Sequence, residues 1–168
     1  GYAVLSIMGP NSRKLLSKLT DEDLSNDHFP FGTGKEIEIG YSKALALRVT
    51  YVGELGWELY IPSEFAQDLY DRLLEAGKEM GLKHAGMHAL NSLRLEKAYR
   101  HWGHDITDED TPLEAGLSFN VAWDKSGGFL GREALIRKKE NDLLKKRMVQ
   151  FALENPEPLL YHNEPIWC

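Results

Sequence analysis

The sequence predicts an α+β fold, mainly an antiparallel sheet with helices packed against it. Three observations carry this. Residues 35–61 hold alternating segments broken by glycines, as strands with one buried face require. Residues 63–81 and 85–103 place apolar side chains at helical spacing. From residue 143 onward the pattern returns to strand-like.

The elements follow in order. Residues 2–8 are β-rich and stop at Gly9-Pro10, where proline suits the first turn of a helix because its missing N–H has no intrahelical partner there. Leu15, Leu16 and Leu19 then fall at helical spacing. Residues 21–35 are turn formers and read as a loop. Ile37 and Ile39 share one face of a strand, and Leu45, Leu47, Val49 and Tyr51 share one face of the next. The glycine-containing stretch 52–56 returns the chain, so residues 44–61 read as a hairpin. On its second strand Trp57, Leu59 and Ile61 face one way, and Glu58 and Tyr60 the other.

Ser63 is placed to cap a helix carrying Phe65, Leu69, Leu73 and Ala76, with Gly77 or Gly81 at its end. A second long helix is predicted to Gly103, buried on several sides, with Arg94 and Glu96 needing partners. Thr111, Pro112 and Glu114 have the spacing of a capping box. Residues 117–123 read as a strand, 131–142 as a helix and 146–153 as a strand. The basic run from Arg137 to Arg147 reads as a solvated linker face. It marks a candidate domain boundary. Both ends read as cuts in a longer polypeptide.

Composition limits the function. A net charge of −6 argues against a nucleic-acid binder that works by broad electrostatics. No apolar run is long enough to span a bilayer, and residues 1–10 lack a signal peptide's basic region and cleavage site. The single cysteine, Cys168, excludes an internal disulfide and fits a reducing compartment. His101, His104 and Asp105 are close in sequence, but Gly103 breaks any helix that would align them, so no metal site is expected. No nucleophile elbow or phosphate-binding loop occurs.

Glu58 is the exception among strand residues. Either it pairs with a cation across the sheet, or it accepts two parallel hydrogen bonds from a ligand that presents an N–H beside an amino group, as pterins and guanines do. Tyr51 and Tyr60 could supply ring surface or a hydroxyl.

Residues 51–59, YVGELGWEL, resemble the Y-T-G-E-x-G-x-E signature of the folate-binding aminomethyltransferase family, the T-protein of glycine cleavage. Around it stand VLSIMGPNSRKLL, AGMHALNSLRLEKAYRHWGHDI, TPLEAGLSF and FLGREAL, in the family's order. The details are more similar to the folate-binding C-terminal half of sarcosine and dimethylglycine dehydrogenases than to free T-proteins. That resemblance implies a fragment of a larger flavoenzyme, with a folate-binding domain at 1–142 and the start of a C-terminal β-barrel domain at 143–168. Its FAD domain, in the same polypeptide but outside this chain, oxidises an N-methyl amine. The folate domain captures the one-carbon unit on tetrahydrofolate as 5,10-methylenetetrahydrofolate. Mitochondrial matrix or bacterial cytoplasm is the implied location.

Carried over by position, Glu58 matches the family's pterin-binding glutamate and Tyr51 the tyrosine lining the folate site. Leu90 stands where T-proteins carry a folate-contacting arginine. The catalytic aspartate falls upstream of Gly1, so no catalytic residue is expected in this chain, and the isolated chain is expected not to turn over. Arg94, Glu96, Gly53 and Gly56 are expected to be structural. Residues 5–13 and 52–60 also resemble the regulatory subunit of pyruvate dehydrogenase phosphatase, a non-catalytic alternative; a stand-alone aminomethyltransferase is another. A related iron–sulfur assembly family carries cysteine before the tyrosine, where this chain has Thr50.

Overall fold

Alternation in the sequence becomes a four-stranded sheet in the computed structural model, which describes residues 1–141, 143–161 and 164–167. The strands are β1 (Tyr2–Met8), β2 (Gly34–Ile39), β3 (Ser42–Leu47) and β4 (Gly56–Pro62), in the order β1-β4-β3-β2 and antiparallel throughout. They belong to the first of two compact units, Gly1–Arg100 and His101–Cys168.

Inside the first unit one face of the sheet is the core. Trp57, Leu59 and Ile61 of β4 are fully buried there with Ile37 and Ile39 of β2. Two helices cover this face. The short α1 (Ser12–Leu16) inserts Leu15 and Leu16, and α2 (Ala66–Gly77) inserts Leu69 and Leu73. Phe29, from the loop after α1, meets Trp57 edge-on with ring centroids 6.1 Å apart. Each fully buried side chain of this size contributes about 1.5–3 kcal/mol of transfer free energy, so these residues set the register.

β3 departs from the expected prominence of its leucines. Ala44 and Ala46 face the core, opposite Ile37 and Leu59, while Leu45 and Leu47 stand on the open face opposite Tyr60 and Glu58. Small residues beside large ones let the layer close at one strand spacing. Val49 and Tyr51 lie beyond the strand, in the connection 48–55.

Ser63 begins a single 3₁₀ turn ahead of α2 and makes no side-chain cap. The second long helix is shorter than predicted: α3 (Met87–Glu96) ends well before Gly103. Ala98, at φ +56°, breaks it. Burial also differs, because Met87, Leu93 and Leu95 are exposed and Arg94 is the buried residue of α3. Arg94 donates from Nε to Asn91 Oδ1 at 2.7 Å and from Nη1 to the Tyr99 carbonyl at 2.9 Å. Its charge is held by the chain's own turn.

The second unit carries the capping box. Thr111 Oγ1 and the Thr111 N–H both donate to Glu114 Oε2, at 2.8 and 3.1 Å, and the Glu114 N–H returns to Thr111 Oγ1 at 3.3 Å. The box closes only a run of turns, ended by Gly116 at φ +67°. Lys138 of α4 (Arg132–Glu140) adds an ion pair to Glu114 at 2.8 Å, and Lys146 pairs with Asp110. The basic run is therefore partly engaged instead of wholly solvated.

Two predicted strands are absent. Residues 117–123 close local bonds instead, with a 3₁₀ turn at Ser118–Asn120 and the Trp123 indole donating to the Ser118 carbonyl at 3.0 Å. The expected start of a β-barrel is not formed either among the described residues of 143–168. The sheet is open, and among the described residues no strand follows β4. Val149, Phe151 and Leu153 alternate but lack a neighbouring strand, and all three are exposed. A lone alternating segment has no ladder to hold it. Cys168 lies outside the described residues.

Candidate functional site

The β3–β4 connection is fastened at both ends. At its far end the Leu55 carbonyl accepts from the Gly9 N–H at 2.8 Å and from Ser12 Oγ at 2.9 Å, which ties it to the Gly9-Pro10 step. Gly56 then enters β4 against β1, where a Cβ would stand 2.8 Å from Met8 Cγ. At its middle Gly53 has φ +70° and sits on the turn after α3, where a Cβ would come within 2.6 Å of Lys97 Cβ. Glycine is required there by both conformation and space. Glu54, next along, pairs with Lys97 Nζ at 3.0 Å.

Glu58 follows on β4, between Ser6 of β1 and Leu47 of β3, on the face away from the core. It is half-buried. Tyr60 Oη donates to its Oε2 at 2.9 Å, while Oε1 accepts from no described residue. Donating to that carboxylate and facing its charge hold the Tyr60 phenol above its ordinary pKa, chiefly through the hydrogen bond. No cation pairs with Glu58 among the described residues, so the cross-strand ion-pair reading is not what the sheet builds. One carboxylate oxygen is anchored and the other is available to a donor. Tyr51 is half-buried within the connection.

A cavity of about 640 Å³ lies beside the connection, with Val52 and Glu54 in its lining. Leu5, Leu73, Leu82, Leu90 and Leu93 form apolar walls, and Glu54, Ser6, Lys83 and the Tyr70–His84 pair supply polar groups. Tyr70 Oη and His84 Nε2 are 2.9 Å apart, with their rings stacked. Neither Glu58 nor Tyr51 lines this cavity. Leu90 does, at the position where the resemblance expected an arginine. Sequence reasoning passed over Glu54 and Lys97. The usable signal was that Glu54 directly follows a glycine that only a close approach explains.

Among the described residues no group of three or more His, Cys, Asp or Glu could hold a metal. His101 and His104 lie ring against ring, with centroids 4.3 Å apart. Trp102 is exposed.

A profile of the family described as the GCVT N-terminal domain matches residues 1–125. The chain belongs to this family. A 4-methylaminobutanoate oxidase (formaldehyde-forming) from Paenarthrobacter nicotinovorans is 47% identical over 99% of the chain, which covers 20% of that protein. Human mitochondrial dimethylglycine dehydrogenase is 43% identical over 98% of the chain, which covers 19% of it. An aminomethyltransferase from Caldanaerobacter subterraneus is 44% identical over 90% of the chain and 40% of its own length. The crystal structure of aminomethyltransferase T of the glycine cleavage system from Bartonella henselae superposes with a TM-score of 0.64 at 27% identity, covering 83% of this chain and 37% of that one. The chain thus spans about a fifth of the oxidase and dehydrogenase relatives, and corresponds to their aminomethyltransferase module. These relatives come from both mitochondria and bacteria. Among the described residues no helix is long and apolar enough to cross a membrane.

Proposed function

We propose that this chain is the tetrahydrofolate-binding part of an FAD-dependent N-methyl amine dehydrogenase, within a folate domain that includes residues 1–142. In that protein the domain accepts the one-carbon unit released by amine oxidation, and 5,10-methylenetetrahydrofolate is the product. FAD belongs to another part of the same polypeptide. The mitochondrial matrix or the bacterial cytoplasm is the setting.

One observation carries the reading. Glu58 is a half-buried carboxylate with one oxygen held by Tyr60 and the other without a donor among the described residues. This fits an amino-pyrimidine edge, which offers an N–H and an amino group side by side, and charge assistance makes such a pair specific. When bound, tetrahydrofolate supplies the nucleophilic amine that takes up the one-carbon unit. The chain's own residues bind and orient. Glu58 fixes the edge remote from the reacting nitrogen, Tyr60 holds the carboxylate in one rotamer, and Tyr51 lines the approach from the connection. Fixing orientation lowers the entropic part of the barrier without chemistry from these side chains. Proton transfer falls to the aspartate that the resemblance places upstream of Gly1, so this chain alone binds folate weakly at best and does not turn over.

The test uses the full-length protein that contains this segment. Glu58→Gln exchanges one acceptor oxygen for a donor amide. Losing a charge-assisted hydrogen bond costs about 1.5–3 kcal/mol. The KM for tetrahydrofolate should rise about tenfold or more, and the yield of 5,10-methylenetetrahydrofolate per amine oxidised should fall. An unchanged KM and yield would remove Glu58 from the site and the proposal with it.

A further inference from the structure

The connection that leads into β4 is seated on a turn of unusual construction. α3 ends at Glu96, and the next residues fold back in a hook. Ala98 adopts φ +56°, which a non-glycine residue takes up only when its surroundings hold it there. Arg94 supplies the hold: it is 4% exposed, and its guanidinium reaches the Tyr99 carbonyl, while the Tyr99 N–H returns to the Arg94 carbonyl at 3.0 Å. Lys97 lies on the hook between these anchors. Its stem forms the floor under Gly53, and its ammonium pairs with Glu54 at 3.0 Å.

We propose that Lys97 is a positioning residue for the folate site. It acts through Glu54 and Gly53 and so fixes the turn from which β4 presents Glu58. This rests on the function proposed above and adds to it a residue remote from the ligand. Two independent contacts support it, one steric and one electrostatic, and both meet consecutive residues of the same turn. The spacing also suits the role. Glu58 lies four residues after Glu54, with Leu55 tied to Gly9 and Ser12 between them. A shift of the turn at Gly53 therefore passes into the start of a strand whose next residues are pinned in the core.

The ion pair is partly exposed, so its effect is modest and depends on salt. In the full-length protein, Lys97→Glu sets two carboxylates against each other and should raise the KM for tetrahydrofolate about three- to tenfold. The reciprocal double variant Glu54→Lys/Lys97→Glu should restore it to within about twofold, and Lys97→Arg should leave it close to wild type. A purely packing role would also be kept by arginine, which preserves the stem, but would not be rescued by the charge swap, so the double variant decides between them. Should Lys97→Glu fail to fold, hydrogen exchange at the amides of 52–56 in Lys97→Ala gives the same answer: faster exchange supports the assignment, and unchanged exchange overturns it. An unchanged KM in a well-folded Lys97→Glu enzyme, with the wild type saturable by tetrahydrofolate, overturns this inference alone. A wild-type enzyme with no tetrahydrofolate dependence overturns the proposed function, and this assignment falls with it.

Discussion

Gly53→Ala puts the construction of the site under direct test. Two costs add at this residue. The backbone stands at φ +70°, a conformation that costs an L-residue about 1–2 kcal/mol. The new methyl would also stand 2.6 Å from Lys97 Cβ, 2.7 Å from Lys97 Cγ and 3.0 Å from Tyr99 Cε2. Overpacking of that kind costs about 1–3 kcal/mol. The hook cannot retreat freely, because Arg94 holds it at Tyr99. The total is about 2–5 kcal/mol. Gly32 separates the two parts: its φ is +78°, yet a Cβ there meets nothing within 4 Å. Gly32→Ala should therefore show the conformational cost alone. Urea unfolding followed by tryptophan fluorescence reads both, since Trp57 is the buried tryptophan of the first unit. Equal destabilisation in the two variants would show that the Lys97 seat has no energetic weight, and would refute the steric half of the argument.

Two further outcomes follow from single groups. Glu114 titrates at about 2 instead of 4.5, chiefly because Lys138 and then Thr111 bond to its carboxylate. A depressed folded pKa means that the unfolded chain takes up the proton first as pH falls. The second unit's stability should thus be full above pH 4.5 and decline toward pH 2, and Glu114→Gln should flatten that part of an acid-melting curve; an unchanged acid slope would refute the assignment. Tyr60→Phe removes the donor that holds Glu58 Oε2 and should weaken tetrahydrofolate binding about three- to tenfold in a titration of the full-length protein. Binding as tight as wild type would mean that the carboxylate needs no anchor.

Where period and burial agree, the sequence was readable. β1, β2 and β4 fall where alternation places them, and Glu58 stands on the face opposite Trp57 as period two requires. β3 was harder, because its core face is built of Ala44 and Ala46 and its bulkier residues look outward. Only the neighbours Ile37 and Leu59 explain that choice. α3 was over-extended because nothing local marks Ala98: the residue that stops the helix is alanine, and the cause is Arg94 bonding Tyr99, five residues on, through both its guanidinium and its carbonyl. Residues 117–123 and 146–153 carry strand-like composition, but a strand exists only if a partner does. Of the candidate site, Glu58 stood out in the sequence because an acid on a strand that feeds a core conflicts with its surroundings. Glu54 and Lys97 were missed because an acid in a turn and a lysine after a helix are each ordinary alone.

The outward direction of Glu58 is not a free choice of the loop before it. β4 is interior to the sheet, paired with β1 along its whole length and with β3 at Leu45, Ala46 and Leu47. Its neighbours in sequence, Trp57 and Leu59, are fully buried. A slip of one residue would turn every side chain of β4 over, exposing Trp57 and Ile61 and driving the carboxylate into the core. Exposing such side chains forfeits about 1.5–3 kcal/mol apiece, before the cost of burying a charge without a partner. Core packing thus fixes which face the carboxylate occupies. The tyrosine two residues on shares that face by the same parity, which is why Tyr60 and not a residue from elsewhere meets Glu58. What the core leaves undetermined is the approach of the chain into β4, and that is where Gly53, Glu54 and Lys97 act.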